Sequence, residues 1–70
     1  MRYLNKTFQL SHDPDKTFMI VEEKDFDDTY GAIYLGVTNE NNTFIIAELE
    51  LNIFLRQGMI DECPEIQRKT

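Results

Sequence analysis

Asp25-Phe26-Asp27-Asp28 packs three carboxylates into four residues. Such a run either coordinates a hard cation or presents negative charge to a partner. A calcium loop needs oxygen ligands at alternate positions, Gly at its sixth and Glu at its twelfth. Counted from Asp25, those positions are Tyr30 and Gly36, so the pattern fails and no metal site is expected. Gly31, Gly36 and Gly58 stand apart, so there is no phosphate-cradling loop. His12 and Cys63 are the one histidine and the one cysteine. A nucleophile–base pair would have to bring them together with an orienting carboxylate, and nothing in their spacing does so. A single cysteine forms no internal disulfide. The expectation is a non-enzymatic chain without cofactor.

The acids matter as a group. The chain has 70 residues and a formal charge of −6. Residues 1–21 carry a net +1, residues 22–65 a net −9 and the last five residues a net +2. A field of that sign repels nucleic acid and anionic membrane and attracts basic proteins. No run approaches the roughly 20 apolar residues that span a bilayer. The start of the chain alternates polar and apolar residues and lacks a leader's apolar run, so the expected location is the cytoplasm.

The elements that must position these acids are read from periodicity. Residues 1–70 are expected to form one domain. Tyr30 to Leu51 holds two β-rich runs around Asn39-Glu40-Asn41-Asn42, the mark of a β-hairpin. Arg2–Leu10 alternates as a strand, with Lys6 on its apolar side suggesting an edge. Ser11 to Asp15 reads as a turn and Lys16–Glu23 as a second strand. Lys24–Asp28 reads as a charged loop. Leu51, Phe54, Leu55 and Gly58 follow helical spacing, predicting a short helix near 50–57 with Asn52 as its cap. Continuation of the strand to Ile53 is the rival reading. Met59–Ile66 is either a short strand or coil, and Gln67–Thr70 a tail. The fold class is α+β: a small antiparallel β-meander of about four strands with one short C-terminal helix.

On period two, Ile33, Leu35, Val37, Ile45, Ala47 and Leu49 share the face expected to lie under the helix. Tyr30, Tyr34, Phe44 and Ile46, with Met19 or Val21, then line the other face. So large an apolar set is seldom left in water, so these six residues are expected to form a homodimer interface. Folding of the N-terminal strand or the tail over that face is the alternative.

In this meander the ends of strands two and four lie at one end of the sheet. Glu22, Glu23, Asp25, Asp27, Asp28, Glu48 and Glu50 gather there, with Phe26 as an aromatic anchor between them. Asp61, Glu62 and Glu65 are expected to extend the patch. Size, acidity and this charge pattern resemble bacteriophage host-takeover proteins that mimic DNA, in particular the small phage inhibitors of the bacterial histone-like nucleoid protein HU. The resemblance implies that these carboxylates occupy the DNA-binding surface of a basic host protein in the bacterial cytoplasm and exclude DNA by competition. Inhibition of a nuclease, polymerase or repair enzyme by the same surface is one alternative. A structural dimerisation or antitoxin-like module, whose acids only solubilise it, is another.

Overall fold

The computed structural model describes residues 3–63. It contains β1 (Thr7–Leu10), β2 (Asp13–Asp27), β3 (Gly31–Thr38), β4 (Thr43–Ala47), α1 (Glu48–Arg56) and β5 (Ile60–Glu62). All strand pairs are antiparallel and the sheet order is β4-β3-β2-β1-β5. Four strands thus form the expected meander. The helix then carries the chain across one sheet face, and the three-residue β5 adds a fifth strand beside β1. The Met59–Ile66 alternative resolves as a strand over Ile60–Glu62; Pro64 to Thr70 lie outside the described residues.

Local chemistry explains the corners. In the β3–β4 turn Asn41 adopts φ 69°, a left-handed conformation that Asn tolerates. The Thr38 hydroxyl accepts the backbone N–H groups of Glu40 and Asn42 at 3.2 and 3.1 Å. In the β2–β3 turn Asp27 Oδ2 accepts the N–H groups of Thr29 and Tyr30 at 2.8 and 2.9 Å. The helix begins earlier than its spacing suggests: Glu50 Oε1 accepts the Ala47 N–H at 2.9 Å and closes the first turn. Asn52 is therefore not the cap. It lies inside the helix, where it accepts the Tyr3 hydroxyl. Gly58, at φ 75°, ends the helix, and Met59 N–H bonds back to Phe54 O at 2.9 Å.

β2 is longer than expected. It takes in both Pro14 and Lys24 to Asp27 of the segment read as a charged loop, leaving Asp28 in the turn. Opposite β1 the register slips between Gln9 and Leu10, so Pro14 to Lys16 bulge out and the missing proline N–H costs no ladder bond. Two further bulges, at Val21 and Lys24, bring two residues of β2 against one of β3 and keep the acidic end paired. β1 is shorter than expected and is not an edge. Asn5, at φ 66°, breaks the extended run before it, and β5 covers its outer side. Lys6 does not point inward; its side chain is half-exposed and pairs with Glu62 at 3.1 Å.

The largest correction concerns the faces. The helix covers Ala32, Tyr34, Gly36 and Ile46, and the core consists of these with Tyr3, Phe8, Ile20, Leu51 and Ile60. Tyr34 is 1% exposed and Ile46 8%, so neither is free to form a dimer contact, and Phe44 is half-buried against the core. The physical reason is aromatic packing over small residues. Phe8 stacks on Phe18 at 5.3 Å, and Phe44 meets Phe18 edge-on at 5.2 Å. Tyr3 contacts Phe8 and Tyr34 edge-on at 5.8 and 6.2 Å. Ala32 and Gly36 leave room for these rings and for the helix. The aliphatic set Ile33, Leu35, Val37 and Ile45 faces the other way.

Candidate functional site: an acidic sheet end

The register places the acids. Glu22 pairs with Leu35, Glu23 with Tyr34, Asp25 with Ile33 and Asp27 with Gly31. Ile33 also pairs with Ala47, the residue before the helix. The end of β2, the β2–β3 turn holding Asp28, and the start of α1 are therefore neighbours. Tyr30 O accepts the Leu49 N–H at 3.0 Å, and the Glu48 carboxylate lies against the backbone of Gly31 and Ala32, its Oε1 3.4 Å from Ala32 N. The seven expected acids lie toward this end of the molecule but are divided between the two sheet faces: Glu22 and Asp25, cross-strand from Leu35 and Ile33, stand on the face opposite the helix, whereas Glu23, cross-strand from Tyr34, stands on the helix face. Two of them, Glu48 and Glu50, stand in the first turn of the helix rather than on a strand.

Described cations are few around the six acids other than Glu48. Among the described residues, Lys24 approaches Glu22 to 3.9 Å, a contact about half-exposed on both sides. Such a pair contributes less than about 1 kcal/mol and barely neutralises the patch. No described Lys or Arg forms an ion pair with Glu23, Asp25, Asp27, Asp28 or Glu50. The carboxylates divide by task. Asp27 builds the turn and Glu50 the helix start. Asp25 Oδ1 accepts the Phe26 N–H at 2.8 Å. Glu22, Asp25 and Asp28 are exposed and Glu23 is half-buried.

Phe26 pairs with Ala32 on the helix side of the sheet, yet it is 63% exposed. It is offered to solvent rather than tucked under the sheet. Tyr30, expected in a dimer interface, is 52% exposed in the turn between Asp28 and Gly31. It belongs to the acidic end. Its missed signal was its place two residues after Asp28, in the turn that Asp27 builds.

Burial raises the Tyr34 phenol above its usual range, an N–H bond from the Tyr3 backbone opposes this, and the carboxylates of Glu48 and Glu23 raise it further. The acidic end thus reaches electrostatically into the core.

Asp61 and Glu62 do not extend the patch. They sit on β5, where Glu62 pairs with Phe8, itself opposite Phe18 on β2. With its two bulges, β2 advances from Phe18 to Asp27 by the seven steps from Thr38 to Gly31 opposite, about 23 Å at roughly 3.3 Å per residue. Glu62 is paired with Lys6, and Asp61 accepts the Ser11 hydroxyl at 2.9 Å. Glu65 lies outside the described residues. His12 is exposed in the β1–β2 turn, while Cys63 N–H bonds to Thr7 O at the far end of β1. Three strand residues, about 10 Å, separate those levels, too far for proton transfer. Among the described residues, no three His, Cys, Asp or Glu side chains form a metal-holding group, and no helix is long and apolar enough to cross a membrane.

Comparison with protein-family models, curated proteins and solved structures finds no match to this chain.

Proposed function

We propose that this protein is a non-catalytic inhibitor that presents its acidic sheet end to the DNA-binding surface of a basic protein. The particular partner we propose is a nucleoid-associated protein of the HU type in a bacterial cytoplasm. The observation that carries the reading is that seven acids lie toward one end of the sheet, on both of its faces, and that Glu22, Glu23, Asp25, Asp27, Asp28 and Glu50 among them form no ion pair with a described cation other than Lys24. The group has a formal charge of about −6 when all seven are ionised. Along one strand the carboxylates are sparser than DNA phosphates, which recur about every 3.4 Å per strand. Drawing them from β2, the turn and the helix start raises their density. Exposed Phe26 and Tyr30 supply anchors of the kind that carry binding energy, and their faces suit the side chains of Arg and Lys. Carboxylates in the DNA site exclude DNA by mass action, with fast, salt-sensitive association.

The test is displacement of labelled duplex DNA from a purified HU-type protein, compared with a variant carrying Glu22→Lys, Glu23→Lys, Asp25→Lys and Asp28→Lys. Asp27 and Glu50 are kept because they build the turn and the helix start. The reversal takes the local formal charge from about −6 to about +2. Displacement by the native chain and its loss in the variant support the proposal. Equal displacement by both refutes it, and failure of the native chain to displace DNA refutes the HU assignment.

A further inference from the structure

The acidic end has two unlike sides. Phe26 stands cross-strand from Ala32, which is buried under the helix, so its ring lies on the helix side. Glu23, cross-strand from the buried Tyr34, stands half-buried on that side too. In the turn that follows, Tyr30 O accepts the Leu49 N–H at 3.0 Å, which joins the start of α1 to the same corner. Leu49 and Ile53 are each two residues from the buried Leu51, about 200° around the helix from it, so they share the outward side of α1. Phe26 is 63% exposed, Tyr30 52%, Leu49 38% and Ile53 37%, and none of the four is part of the core. Phe26, Leu49 and Ile53, with Tyr30 at their edge, form an exposed apolar patch of the sort that marks a contact surface.

Charge says what fits it. Glu23, Asp28 and Glu50 edge the patch, Asp27 builds the turn beside it, and no described cation forms an ion pair with any of the four. Arg56, the one cation of α1, stands in its last turn, away from this corner. A two-fold contact with a second copy would set these carboxylates against their own counterparts. Nucleic acid and anionic membrane are repelled by them. A neutral apolar partner would bury the carboxylates unpaired, at a cost. A segment carrying apolar side chains between Lys and Arg satisfies the patch and its rim together.

Taking the acidic end as a surface for a basic protein, as proposed above, we infer that the helix-side patch is where that protein docks, and that it does so through a segment whose apolar side chains are set between Lys or Arg residues. Phe26, Leu49 and Ile53 take the apolar side chains, and the open face of Phe26 also suits a guanidinium. Glu23, Asp28 and Glu50 take the cations. Glu22 and Asp25, cross-strand from Leu35 and Ile33, stand on the other sheet face and lie outside the contact. They act at a distance, speeding encounter.

The test is binding of the full chain to two synthetic peptides of equal length and equal lysine content, one with leucines at helical spacing and one with glutamines in their place. Three variants of unchanged charge accompany it: Phe26→Gln, Leu49→Gln with Ile53→Gln, and, on the opposite sheet face, Met19→Gln with Ile45→Gln. The replaced side chains are all exposed, so each variant should keep the native far-ultraviolet circular dichroism. The native chain is expected to bind the leucine peptide at least about 10-fold more tightly than the glutamine peptide, as apolar anchors dictate. Each helix-side variant should cut that preference to less than about threefold, and the opposite-face variant should leave it within about twofold of native. Equal binding of both peptides by the native chain overturns the inference and leaves a purely electrostatic surface standing. A preference that survives either helix-side variant, or that the opposite-face variant removes, overturns it as well. Binding of neither peptide overturns this inference and the proposed function together. Preference for the leucine peptide without displacement of DNA from an HU-type protein removes the HU assignment and supports the docking surface.

Discussion

Gly36→Ala isolates the steric term that decides which sheet face the helix covers. Gly36 lies on β3 opposite Phe44, and its φ is not in the left-handed region, so alanine fits its backbone. A Cβ added there would lie 2.3 Å from Phe44 Cζ and 2.7 and 2.8 Å from the two Cε atoms. The ring must retreat by more than about 1 Å to reach ordinary contact near 3.5 Å. It is held by Phe18, which is itself stacked on Phe8. Overpacking of this kind costs about 1–3 kcal/mol. Alanine's smaller loss of backbone freedom returns about 0.5–1 kcal/mol. The net expectation is destabilisation by about 1–2 kcal/mol, or a fall in Tm of roughly 5–15 °C for a domain of this size. Thermal and urea unfolding followed by circular dichroism measure it. In a Phe44→Leu background the same substitution should cost less than about 0.5 kcal/mol, giving a coupling near 1 kcal/mol or more. A neutral or stabilising Gly36→Ala in the native background, or an equal cost in both, would refute the reasoning.

Further outcomes follow from single contacts. Asp27→Ala removes the acceptor of two turn N–H groups and should destabilise by about 1–2 kcal/mol, whereas Asp28→Ala should stay within about 0.5 kcal/mol; equal losses in urea unfolding would contradict the assignment. Glu50→Ala should cost about 0.5–1 kcal/mol through the lost Ala47 N–H bond, read by the same assay; no change would deny that bond a role. Tyr34 has a phenol raised above the unfolded value of about 10. Its contribution to stability is therefore fully present below about pH 10 and is lost as pH rises through the raised folded value. Tyr34→Phe removes that titration and should move the alkaline unfolding midpoint upward, and an unmoved midpoint would count against it.

The periodicity made some of the fold legible and misled on the rest. The Asn-rich break announced the β3–β4 hairpin, and Leu51, Phe54 and Leu55 announced the helix. The choice of faces failed because both were apolar. Ile33, Leu35 and Val37 look like a core set, while Ala32 and Gly36 look too small for one. Their smallness is what admits the rings of Tyr3, Phe8, Phe18 and Phe44, and neither residue reveals this without its neighbours in space. The bulges at Val21 and Lys24 break the two-residue period, so the end of β2 read as loop. β5 has three residues, too few for a pattern, and its place is set by pairing with β1 across a long stretch of chain. That the end of β2 lies beside the end of β4 was legible because it depends only on strand direction, whereas the division of the acids between the two faces was not, because the bulges at Val21 and Lys24 set it. A meander returns alternate strand ends to one side whatever its register.

The central claim is that the acidic end competes with DNA for a basic protein. Its most direct measurement is the fluorescence polarisation of labelled duplex DNA bound to an HU-type protein as this chain is titrated in, at about 0.05 M and about 0.5 M salt, where screening lengths differ about threefold. The account predicts release of DNA at the lower salt, complex formation between the two proteins that weakens steeply at the higher, and neither with the four-lysine variant. DNA that stays bound at the lower salt, or release that the variant reproduces, would contradict it.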